Sequence, residues 1–88
     1  MDPEKQRAWA ARQVYIALGQ LMTSCAVLKL DACPLEGIIN SKYDELLSLQ
    51  GTEFETVVAC AVGYRSTSDY FASMKKIRAP AAVVIEKI

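Results

Sequence analysis

From Asp2 to about Leu28 the chain alternates apolar and polar residues without a proline after Pro3, and most of its residues are good helix formers. Asp2 can cap this segment, Pro3 suits the first helical position, and Glu4 favours the positive end of the helix dipole. A helix of that length is roughly 40 Å long, whereas a compact chain of this size has a radius of gyration of about 12 Å. Its apolar residues also occupy more than one face. Trp9, Ile16, Cys25 and Ala26 read as one set, and Ala11, Val14, Leu18 and Leu21 as another. A helix apolar on several sides is buried on several sides. The pattern therefore predicts one face on the chain's own body and another on a second chain.

Residues 29–39 read as a connector broken by Asp31, Pro34 and Gly37. A short second helix follows, capped by Asn40 or Ser41, with Ser41 and Asp44 spaced as a capping box and Gly51 as its stop. Tyr43, Leu46, Leu47 and Leu49 supply its apolar face. Thr56 to Tyr64 is an unbroken, β-branched apolar run, the pattern of a strand buried on both faces. One strand makes no sheet, and the other candidate is Ala82 to Ile85. Between them, Arg65 to Met74 reads as a polar connector with a helical turn near Asp69 to Ser73.

Composition changes the picture further. At 88 residues the chain has room for one domain, yet 52% of it is hydrophobic, more apolar surface than so small a globule hides. Ten basic and ten acidic residues cancel, leaving no basic field for nucleic acid. The absence of His excludes Ser-His-Asp triads, Cys-His dyads and His-ligated zinc. Cys25, Cys33 and Cys60 lack CxxC spacing and fit a reducing cytoplasm. The start from Met1 to Lys5 does not read as a signal peptide, and no apolar run is long enough for a membrane span.

Three features carry candidate chemistry. Lys75, Lys76 and Arg78 form a cationic cluster that could hold a phosphate or simply be solvated before a strand. Cys33-Pro34-Leu35-Glu36-Gly37 is a rigid turn where Gly37 lets a ligand approach the backbone, or else a plain connection. Trp9, Tyr15 and Tyr64 could stack on an aromatic cofactor or pack in a core. Cys33 has no His to act as its base, so it reads as a structural thiol.

In order along the chain stand Trp9-Ala10-Ala11-Arg12-Gln13-Val14-Tyr15-Ile16-Ala17-Leu18-Gly19, Cys33-Pro34-Leu35-Glu36-Gly37, Val62-Gly63-Tyr64-Arg65 and Lys76-Ile77-Arg78-Ala79-Pro80. Together they resemble the C-terminal part of the nitroreductase family, the FMN-dependent NAD(P)H oxidoreductases. The resemblance covers about residues 7–88 and implies a partial α+β fold. Its parts are a long N-terminal helix, a short second helix, one buried core strand and a C-terminal strand. It also implies a dimer built through the long helix. By resemblance, the backbone around Glu36 and Gly37 faces the flavin N5 edge, and Lys76 and Arg78 contact the FMN phosphate. Hydride then passes from NAD(P)H through FMN to a nitroaromatic or quinone-type acceptor, in the cytoplasm and without nucleic acid or membrane.

The family's N-terminal half, with its Arg/Ser-rich motif, has no counterpart here. The expectation is thus a single partial domain over residues 1–88, a truncated chain inactive alone. The alternatives are a catalytically inactive oligomerisation module derived from that fold, or a second polypeptide that supplies the other half.

Overall fold

The computed structural model describes residues 2–88. Helix α1 runs Pro3–Val27, and Asp2 caps it by accepting a hydrogen bond from the Lys5 amide at 2.9 Å. At its far end the Leu30 amide donates to the Cys25 carbonyl and the Lys29 amide to the Ala26 carbonyl. This is a Schellman closure, with Lys29 rather than glycine in the left-handed conformation.

Along α1, Leu18 and Cys25 are the buried residues, with Ala11 and Met22 half-buried beside them. Seven residues apart, Leu18 and Cys25 lie nearly in line on a helix. Cys25 therefore belongs with Leu18 on the inner face, not with Trp9 and Ile16 as the sequence grouping has it. Trp9, Ile16 and Val27 lie on the opposite side and are 51%, 59% and 76% exposed.

The expected connector over 29–39 is instead partly a strand, β1 (Asp31–Leu35), which packs against α1. It pairs antiparallel with β2 (Ala59–Gly63), with Asp31 opposite Gly63 and Leu35 opposite Ala59. Pro34 does not break β1, because a strand with one open edge can seat a residue that lacks an amide donor. β2 falls within the predicted 56–64 run, but Val62 is 48% exposed and no β2 residue is buried. The expected burial on both faces is not met within this chain.

The expected C-terminal strand is absent among the described residues. Ala81–Val84 form a single helical turn, α3, closed by the Ile85 amide on the Ala81 carbonyl. The β2 partner comes from residues 31–35, whose Asp and Pro mask a strand in a single-sequence reading.

Helix α2 spans Asn40–Leu46. Neither Asn40 nor Ser41 caps it: Ile39 holds the N-cap position, with no side-chain cap. The Ser41–Asp44 capping box does not form because Asp44 is engaged elsewhere, accepting from the Thr56 amide at 2.7 Å. Its stop is Ser48, left-handed at φ 57°, with the Leu49 amide on the Asp44 carbonyl. Gly51, at φ 74°, serves the following turn, closed by the Thr52 amide on the Leu49 carbonyl. The predicted turn near Asp69 is present as a 3-10 segment, Tyr70–Ser73, capped by the Asp69 carboxylate on the Phe71 amide.

The chain is open. Its radius of gyration is 16.7 Å, and its accessible surface is 8191 Å². A compact 9.7 kDa monomer exposes about 5100 Å². No helix among the described residues is long and apolar enough to cross a membrane.

Candidate functional site

Glu36 and Gly37 follow the last residue of β1 and lead through Ile38 and Ile39 into α2. The turn is exposed. A Cβ built on Gly37 would meet nothing within 4 Å, so one side of this backbone is open to a flat ligand. From α1, Tyr15 faces the turn. Its phenol is held above the usual tyrosine range by partial desolvation, then by the hydrogen bond and negative charge of the Glu36 carboxylate. Tyr15, one of three stacking candidates in the sequence, thus stands beside the predicted site, near the Glu36 carboxylate.

Side chains on either side of the turn tie it to the run containing β2. Upstream, Asp31 accepts from the Arg65 amide at 2.9 Å and from Arg65 Nε at 2.9 Å, with Nη2 on the same carboxylate oxygen. These bonds and the guanidinium charge hold the Asp31 carboxyl below its ordinary value. Downstream, Asn40 Nδ2 donates to the Thr56 and Val57 carbonyls at 2.8 and 3.1 Å. Sequence reasoning missed these contacts. Asp31 reads as a breaker and Asn40 as a cap, because the partners lie 16 to 34 residues away and no local pattern encodes them.

Lys76 and Arg78 lie in the exposed, irregular stretch between the 3-10 turn and α3. Arg78 Nη1 donates to the Ile77 carbonyl at 2.8 Å. Among the described residues, neither cation forms an ion pair, and no hydrogen bond joins this stretch to Glu36 or Gly37. The site residues thus form two separate groups. Neither group lines the open groove of about 370 Å³ beside Asp31, Tyr64, Arg65 and Asp69. Among the described residues no cluster of acidic or thiol side chains could hold a metal ion.

A model of the nitroreductase family matches residues 1–64. An oxygen-insensitive NAD(P)H nitroreductase of Enterobacter cloacae is 31% identical over 85 residues, covering 97% of this chain and 39% of its own length. A Staphylococcus haemolyticus protein, provisionally named an NAD(P)H nitroreductase, is 40% identical over 84 residues, covering 91% of this chain and 37% of itself. A similarly named Haemophilus influenzae protein is 39% identical over 62 residues, 66% of this chain and 28% of its own. The chain thus spans well under half the length of these relatives.

Proposed function

The chain belongs to the nitroreductase family, and from that premise we propose that it is the C-terminal part of an FMN-dependent NAD(P)H oxidoreductase. The observation that carries this reading is the open backbone at Gly37, held at the end of β1 inside the segment the family model matches. The donor chemistry suits FMN. A flavin ring needs a backbone face it can approach, and a phosphate needs cations that no carboxylate already neutralises. Gly37 offers the first, and Lys76 and Arg78 offer the second.

When bound, FMN supplies the two-electron carrier that NAD(P)H reduces and a nitroaromatic or quinone-type acceptor reoxidises. The chain's own residues bind and orient. With FMN bound, a main-chain amide at Glu36 or Gly37 would face the flavin N5 edge, Lys76 and Arg78 would neutralise the phosphate, and Tyr15 would stand beside the Glu36 carboxylate on the α1 side.

The accessible surface exceeds that of a compact monomer by about 3000 Å² per chain, several times the roughly 800 Å² per partner of a standard interface. The same reading therefore includes a dimer built through the outer face of α1, in the cytoplasm. That excess equally supports the second reading, an assembly module of this fold without catalysis.

Titrating the purified chain with FMN, following flavin fluorescence and then NAD(P)H oxidation with a quinone acceptor, separates the two. Flavin binding with turnover supports the oxidoreductase. A dimer that leaves flavin fluorescence unchanged at saturating FMN removes the enzymatic reading for this chain.

A further inference from the structure

The run from Thr56 to Arg65 is gripped at both ends by residues that flank the Glu36–Gly37 turn. Asp31 holds the Arg65 amide and guanidinium. Asn40 holds the Thr56 and Val57 carbonyls, and Asp44 holds the Thr56 amide. Each grip has main-chain groups of the 56–65 run as partners, so each reports the position of that backbone and not merely a side-chain rotamer. The turn lies between the two grips, exposed, with open space at Gly37.

The ladder between them is a poor gauge by itself. It is two-stranded and five residues long, and none of its residues is buried. Register is weakly specified where neither face is deeply buried. A slip of one residue moves a strand by about 3.3 Å and turns its side chains to the other face. No hydrogen bond of the Asp31 or Asp44 kind survives such a displacement.

We propose that Asp31, Arg65, Asn40 and Asp44 are positioning residues that fix the register of β1 against β2 and thereby place the Glu36–Gly37 backbone. Their link to catalysis rests on the reading of that turn as the flavin-facing one. The ion pair is exposed, and pairs of this kind add little to stability. Its consequence is which register is populated.

The test uses the full chain carrying Cys60→Ser and Ala61→Cys. Position 61 stands opposite Cys33 in the ladder, so a disulfide between Cys33 and the new thiol reports native register without any flavin. The bridge closes readily in a thiol redox buffer. Its equilibrium constant falls about threefold with Asp31→Ala or Asn40→Ala, and about tenfold with both. Asp31→Asn, which keeps the side-chain shape, serves if the alanine variant loses α1 helicity by circular dichroism. In the chain with its native Cys60 and Ala61, FMN affinity falls in the same order, and the visible band of bound flavin shifts.

An unchanged bridge in the double variant overturns the proposal. A weakened bridge with unaltered flavin affinity and spectrum overturns its link to the turn. If the unsubstituted chain binds no FMN, the flavin reading fails, while the bridge still decides the register.

Discussion

Replacing Ile16 with alanine tests whether the outer face of α1 is an interface. Ile16 is 59% exposed and lies opposite the buried Leu18 and Cys25. The substitution removes three carbons, worth about 2.4 kcal/mol if they pass fully from water to a packed interior. The chain leaves roughly three-fifths of that burial to a partner, so the loss is about 1.4 kcal/mol per copy. A two-fold interface contains the position twice, which makes about 2.8 kcal/mol and a rise of about a hundredfold in the dimer Kd.

Sedimentation equilibrium over a dilution series reads this directly. Helix formation is not compromised, because alanine has the higher helix propensity. Glu45→Gln, on the exposed side of α2, is the control and leaves association unchanged. An Ile16→Ala chain that associates as tightly as the unsubstituted one would refute the placement of the interface. A chain that stays monomeric throughout would refute the assembly itself.

The Asp31 carboxyl is depressed by Arg65, so the pair's contribution is fully present above the unfolded-state value near 3.9 and is lost as pH falls through the lower folded value. Acid titration followed by circular dichroism should show the unsubstituted chain and Asp31→Asn differing at neutral pH and converging at the acid end. Gly37→Ala meets open space and does not require a positive φ, so thermal unfolding should be unchanged while FMN affinity drops in a fluorescence titration. Lys76→Ala and Arg78→Ala should each weaken FMN binding about tenfold without altering helicity, with the loss shrinking as salt rises. Ser48→Gly should raise stability by about 0.5–1 kcal/mol in thermal melts, because Ser48 holds the left-handed position that closes α2.

Features fixed by neighbours in sequence could be read without a structure. The Asp2 cap and the length of α1 follow from the Asp-Pro-Glu start and an uninterrupted run of helix formers. The helical turn near Asp69 to Ser73 is equally local. Features fixed by distant partners could not. Residues 31–35 contain an Asp and a Pro, both disfavoured in strands, and become a strand because β2 supplies a mate. Helix α2 loses its expected cap because Asn40 and Asp44 bind the 56–57 backbone instead. The left-handed closure of α1, as distinct from the place where α1 ends, and the stop of α2 were invisible for another reason. Lys29 and Ser48 occupy positions where glycine is the usual signal, and only the tertiary path of the chain requires the left-handed turn there. The site shared this division. Its residues Glu36, Gly37, Lys76 and Arg78 stand out as motifs, whereas the contacts that hold the turn do not.

The separation of those residues into two groups has a thermodynamic consequence. Only Leu18 and Cys25 are buried among the described residues, so little within the chain holds the Lys76–Arg78 stretch in a fixed place. If FMN engages both the turn and that stretch, its binding must order the stretch, and part of the interaction free energy goes to that ordering. A partner that covers the exposed apolar residues around it, Phe71, Met74 and Ile77, would carry the ordering instead. Flavin affinity and self-association are then linked, and the linkage is reciprocal: whatever factor dimerisation adds to FMN affinity, FMN adds to dimerisation. On the flavin reading, the small core that leaves so much apolar surface exposed would thus couple assembly to cofactor binding.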